Sequence, residues 1–284
     1  MAAFLTRLGD KLRIRSPLMR QFLGELISTT VLLTIGDGSV AQVVLSGGSK
    51  GGFLSINLAW GLAVTMGILI GGGASGAHMN PAITLAQLCL GAISPLAAVV
   101  YMLAQYLGAF LGAAIVYIVY LDALDAFDGG ARMVNQTAGI FATYPQEFLS
   151  AGSGVVDQIA GTALLSSLVL AATDARNMSV PQHLVPLYVG FIVTVIGMSF
   201  GYNCGYAINP ARDLGPRVFT AIAGWGSGVF SVRNYNWFWV PIVGPYVGAL
   251  VGTVIYKITI GLHWPKPNDT THELEQQELL EIKS

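Results

Sequence analysis

A seven-residue pattern ending in Asn-Pro-Ala occurs twice in this 284-residue chain, each copy following a long apolar stretch. Gly76-Ala77-His78-Met79-Asn80-Pro81-Ala82 lies 129 residues before Gly205-Tyr206-Ala207-Ile208-Asn209-Pro210-Ala211. The surroundings recur as well. Glu25-Leu26-Ile27-Ser28-Thr29 corresponds to Gln158-Ile159-Ala160-Gly161-Thr162 at an offset of 133, and Gly108-x-x-x-Gly112 to Gly244-x-x-x-Gly248 at 136. A repeat on this scale constrains the fold more than local propensity does, because both halves must build the same unit.

Composition names the solvent. Hydrophobic residues make up 54% of the chain and charged ones only 10%, too few to cover a water-facing surface. Six apolar stretches at 22–45, 54–72, 96–120, 156–173, 184–202 and 238–260 have the length of a helical bilayer crossing. Two shorter apolar pieces, 80–90 and 209–222, each open on Asn-Pro. Asn caps a helix N-terminus well, and Pro is tolerated at the first helical position because its missing N–H would have no partner there. Both pieces therefore read as half-helices, which at membrane depth must be buried in protein or line a wet cavity. Each half thus holds three spans and one half-helix. Three is odd, so the second half enters from the opposite side, and the predicted fold is an all-α membrane protein built as an inverted repeat.

Charge gives the expected orientation. Arg7, Lys11, Arg13, Arg15 and Arg20 precede the first span, and Ser16-Pro17 interrupts that basic stretch. Asp122, Asp125, Asp128 and Glu147 crowd the loop after the third span against Arg132 alone. The positive-inside tendency puts residues 1–21 and the polar tail 263–284 in the cytoplasm and the acidic loop outside. Between them lies one channel domain, 22–262, with repeats at 22–120 and 156–262. The net charge of −1 offers nothing to nucleic acid. Cys89 and Cys204 have no metal-ligand spacing, so no metal or cofactor is expected. Cys204 is expected to be reachable by thiol reagents from outside, and Cys89 to be packed.

Two helix N-termini aimed at one point carry partial positive charge and free N–H groups. They would repel cations, protons included, while the amides of Asn80 and Asn209 hold a passing oxygen. One Asn-Pro alone would be an ordinary cap; two at matched positions imply a pathway.

The chain resembles the aquaporin family, in particular its aquaglyceroporin branch, from Arg20 to about Trp264. The resemblance rests on the motifs Asn80-Pro81-Ala82 and Asn209-Pro210-Ala211, on Gly139-Ile140-Phe141-Ala142-Thr143-Tyr144-Pro145, and on Arg212-Asp213-Leu214-Gly215-Pro216-Arg217. Asp213 after the second motif looks like the glycerol-conducting branch. The resemblance implies a selectivity filter of Trp60, Gly197, Tyr206 and Arg212, with Gly197 leaving width where a strict water channel places a histidine. The bland alternatives are an interfacial Trp60 and an Arg212 paired with Asp213. Glu25, with Gln158 as its counterpart, is expected to hold the irregular backbone before each half-helix. His78 is either a pH sensor on the cytoplasmic approach or a hydrogen-bonded structural group. Asp37, inside the first span, has no assignable role. Asn135-Gln136-Thr137 is a glycosylation sequon in the outer loop. The expected activity is passive conduction of glycerol and water through each subunit of a homotetramer in the plasma membrane, with lipid as the other partner. A strict water channel and a coupled transporter are the rivals, the latter needing ion sites at the midplane. No nucleophile–base pair suggests an enzyme.

Overall fold

The computed structural model describes Gly9 and residues 12–265. Arg7, Lys11 and the acidic tail with Glu273, Glu275, Glu278 and Glu281 lie outside the described residues. Among the described residues, six helices are long and apolar enough to cross a membrane: α1 (Pro17–Leu45), α2 (Phe53–Ser75), α4 (Pro95–Val119), α6 (Ala151–Thr173), α7 (Val185–Cys204) and α9 (Val240–Tyr256, continued by a π turn to Gly261). Two short helices, α3 (Pro81–Cys89) and α8 (Pro210–Thr220), follow the Asn-Pro pairs. At 1.5 Å per residue the nine residues of α3 cover about 14 Å, half a hydrocarbon core.

The first span begins earlier than expected. Ser16-Pro17 does not interrupt it but starts it: the Ser16 hydroxyl accepts from Met19 N at 3.4 Å and Pro17 takes the first position. Ser94-Pro95 opens α4 in the same way, with Ser94 accepting from Ala97 N at 3.2 Å. The acidic segment expected as loop contains a helix, α5 (Leu121–Asp128). Arg132 neutralises it, 2.5 Å from Asp125 and 2.9 Å from Asp128, while lying over the rings of Tyr117 and Trp225.

The repeat is inverted, and close helix contacts reveal its register. A Cβ at Gly108 would lie 2.5 Å from the carbonyl of Leu26, and one at Gly248 would lie 2.5 Å from the carbonyl of Ile159. Leu26 and Ile159 are repeat mates at the offset of 133, so Gly108 matches Gly248 and Gly112 matches Gly252. The expected pairing of Gly108/Gly112 with Gly244/Gly248 is therefore one helical turn out of register. A G-x-x-x-G ladder with a third glycine repeats every turn, so spacing does not choose among its rungs. The corrected offset also makes Tyr106 and Tyr246 mates, and their hydroxyls meet at 3.3 Å between α4 and α9. Large apolar side chains such as Leu69, Ile118 and Ile222 point outward, as suits lipid contact rather than water.

Candidate functional site

α3 and α8 bring their N-termini together in the middle of the molecule. Asn80 Oδ1 accepts from Ala82 N at 2.9 Å; Asn209 Oδ1 accepts from Ala211 N at 3.0 Å and Arg212 N at 3.2 Å. The amide nitrogens cross over: Asn80 Nδ2 donates to the Ile208 carbonyl at 2.9 Å and Asn209 Nδ2 to the Met79 carbonyl at 2.8 Å. Each amide has two N–H groups. One is fixed to the opposite repeat, which leaves the second for a cavity of about 370 Å³ that both asparagines line.

The chain must bend sharply to deliver those caps. Ala77 and Met79 adopt φ of +50° and +51°, and their mates Tyr206 and Ile208 adopt +38° and +43°. Left-handed backbone at non-glycine residues costs of order 1–3 kcal/mol each and persists only where surroundings enforce it. Glu25, fully buried on α1, does so in the first repeat: Oε1 accepts from His78 N and Oε2 from Met79 N, both at 2.8 Å. Gln105 braces that carboxylate, donating Nε2 to Glu25 at 2.8 Å and to Thr84 at 2.9 Å. In the second repeat Gln158 Oε1 accepts from Ile208 N at 2.8 Å, while its Nε2 donates to Asp157 and faces Cys204 Sγ.

At one end of the cavity three of the four resemblance-derived filter side chains converge with the fourth position behind them. The Arg212 guanidinium carbon sits 4.2 Å above the centre of the Trp60 ring. Arg212 Nη1 donates to the Phe141 carbonyl at 2.7 Å and reaches Asp37 Oδ1 at 3.4 Å, and among the described residues no acceptor engages Nε or Nη2. Tyr206 closes another side. The space beside the Gly197 backbone is occupied by neighbouring side chains. A Cβ there would run into Asn57 Oδ1 and the Tyr206 ring, whose Cε2 lies 2.8 Å away. Gly197 is the recess that lets the tyrosine ring lie against α7. Gly36 serves Trp60 similarly, since a Cβ at 36 would meet the indole at 2.5 Å.

Arg212 is not paired with Asp213. The Asp213 carboxylate accepts from Thr143 N at 2.8 Å, from Thr143 Oγ1 at 2.5 Å and from Arg217 Nε at 2.8 Å. Arg217, wholly buried, also donates to the Thr143 and Val229 carbonyls. The 139–145 loop is thereby tied to α8, which places the Phe141 carbonyl against Arg212. The cavity is also lined by the apolar side chains of Leu32, Val64, Ile83, Leu165 and Val193. His78 lines the other end of the cavity, with Nδ1 3.1 Å from the Thr84 hydroxyl and its ring 5.1 Å from that of Tyr101.

This arrangement, two crossed caps and one arginine over an indole, has known relatives. The model of the major intrinsic protein family matches residues 13–256. The chain belongs to the major intrinsic protein family. It is 47% identical to human aquaporin-10 over 266 residues, covering 93% of this chain and 88% of that protein. Human aquaporin-9 is 44% identical over 272 residues, 95% of this chain and 92% of that one. Among solved structures, the aquaglyceroporin from Plasmodium falciparum superposes with a TM-score of 0.77 at 33% identity, covering 86% of this chain and 97% of the other. As a major intrinsic protein the chain is a multi-pass integral membrane protein, and its class is that of channels rather than enzymes.

Several residues of the site escaped the sequence. Gln105 and Gly36 carry no local signal. Asp37 did carry one, an acid inside an apolar span, but its partner is 175 residues away. The cysteines are reversed: Cys204 is buried, donating Sγ–H to Asp157 at 3.3 Å, and Cys89 is exposed. Asn135 is exposed, but Thr137 of its sequon is buried, its hydroxyl shared between Asp128 and Trp225.

Proposed function

We propose that the cavity is a passive conduit for glycerol and water. The observation that carries this reading is the constriction: Arg212 offers Nε and Nη2 side by side, over the indole of Trp60. A polyol presents hydroxyls along one edge and C–H groups along the other. The rigid guanidinium fork holds two adjacent hydroxyls, and Trp60 with Tyr206 receives the carbon chain. Farther in, the free N–H of Asn80 and of Asn209 takes up the next oxygen, and the apolar lining keeps the carbon edge in place. Cations meet two helix N-termini and an arginine and are turned back. No covalent step is required. The likeness to aquaporin-9, aquaporin-10 and a solved aquaglyceroporin supports the same substrates.

In this reading Asn80-Pro81-Ala82 and Asn209-Pro210-Ala211 form the central station, and Trp60, Gly197, Tyr206 and Arg212 the filter. Glu25, Gln158 and Asp213 are supports. His78 is a hydrogen-bonded support at the far mouth. Residues 17–262, rather than 22–262, form the channel domain of each subunit in a homotetramer in the plasma membrane, with the segments before 17 and from 263 to 284 cytoplasmic. Glycosylation of Asn135 would have to precede folding of its loop, because Thr137 becomes inaccessible. Purified protein in liposomes, challenged with a glycerol gradient and followed by light scattering, tests the substrate claim: rapid shrinkage then re-swelling is expected. Shrinkage with no accelerated re-swelling would leave a strict water channel.

A further inference from the structure

Asp37 is the unexplained charge of this pore. It lies within α1, has no exposed surface, and has one neighbour of opposite sign, Arg212, at 3.4 Å. Its Oδ2 is buried with no hydrogen-bond partner. The other nearby acid, Asp213, is consumed by Thr143 and Arg217. Asp37 therefore does not anchor a loop as Glu25 does.

The repeat supplies an internal control. Asp37 maps to Leu170 at the offset of 133, and Arg212 maps to Ile83 at 129. Each pair takes one residue from each repeat: Leu170 with Ile83 is apolar, whereas Asp37 with Arg212 brings together two ionisable groups. At the symmetry-related place neither the arginine nor the acid is present.

A lone guanidinium at a narrow point repels cations but attracts small anions, whereas a carboxylate behind it turns a monopole into a short dipole whose field fades within a few ångströms. We infer that Asp37 is a specificity-determining residue that neutralises the constriction, so that the Arg212 fork still donates hydrogen bonds but the pore rejects anions as well as cations. The inference rests on the filter reading above. Asp37 stands behind Arg212, outside the path of the solute, and acts through it as a positioning residue.

The test uses full-length protein in proteoliposomes, measuring glycerol and nitrate entry in the same preparations. Wild type should admit glycerol and exclude nitrate. Asp37→Asn should admit nitrate at least tenfold faster than wild type, since one uncompensated charge a few ångströms from the path at an intermediate dielectric is worth more than that factor. Asp37→Glu should restore exclusion. A second pair keeps the test decisive if Asp37→Asn folds poorly. Arg212→Leu leaves the acid alone and should admit rubidium, whereas Arg212→Leu with Asp37→Leu makes the pair apolar, as Ile83 and Leu170 are, and should admit neither ion. Nitrate exclusion unchanged in folded Asp37→Asn overturns the inference. So does a parallel fall of glycerol and water without ion entry, or equal rubidium entry in the single and double leucine variants. Wild type that excludes glycerol would instead remove the functional reading, and the nitrate comparison would still judge the charge pairing.

Discussion

Glu25 and Gln158 occupy the same place in the two repeats and hold the same strained turn, yet they do it with different chemistry. Glu25 is itself the charge. Its two oxygens take the N–H groups of His78 and Met79 and the amide of Gln105. Gln158 gives one oxygen to Ile208 and passes the charge back one residue, through Nε2, to Asp157, which also takes Asn203 and Cys204. The half-helix that carries an arginine is thus served by a neutral acceptor, and the one without an arginine by a carboxylate. Inverted repetition fixes the backbone and where its N–H groups must go. It leaves open whether the acceptor is charged, and each half has settled that with its own neighbours: Gln105 in one repeat has Pro245 as its mate in the other.

Removing the charged cradle should have the largest effect. Glu25→Ala leaves two backbone N–H groups and one N–H of the Gln105 amide unsatisfied at membrane depth, at roughly 1–3 kcal/mol each. A loss of about 3–9 kcal/mol is expected, seen as collapse of folded yield and of thermal stability in detergent. A mild effect would mean that water replaces the carboxylate.

Gly197→His comes next and probes the arginine-bearing half. The imidazole must displace the Tyr206 ring that fills the recess, so glycerol flux should fall by about tenfold or more, equivalent to about 1.4 kcal/mol of barrier, with water flux much less affected. Adding Tyr206→Ala should return part of the stability but not the glycerol preference. Equal loss of both fluxes in a normally folded protein argues against a filter role.

Gln158→Ala leaves the Ile208 N–H without its acceptor and removes the Nε2 bonds to Asp157 and Cys204, both of which keep their bond to each other. About 1–3 kcal/mol is expected, less than for Glu25→Ala in the same assay. Finding the order reversed would break the comparison between the two cradles. The smallest change is His78→Ala, which removes the bond to Thr84 but keeps the backbone N–H on Glu25. About 0.5–1.5 kcal/mol should be lost, with glycerol flux near neutral pH within twofold of wild type. A large flux change with stability intact would make His78 part of the path.

Much of this was legible in the chain. Duplicated Asn-Pro-Ala, six apolar stretches and an odd number of spans per half imply antiparallel halves whose short helices meet, because the period of a helix and the thickness of a bilayer allow little else. Glu25 and Gln158 were legible as supports through the family resemblance, which implied that role for a polar residue expensive to place in a span. The rungs of the glycine ladder, the recess at Gly197 that is filled rather than open, the burial of Cys204 and the coupling of Asp37 to Arg212 were decided only by the tertiary structure. Each depends on which side chains from distant segments share one volume. Sequence spacing measures position along a helix, while these contacts are set by rotation about its axis and by the distance to its neighbours.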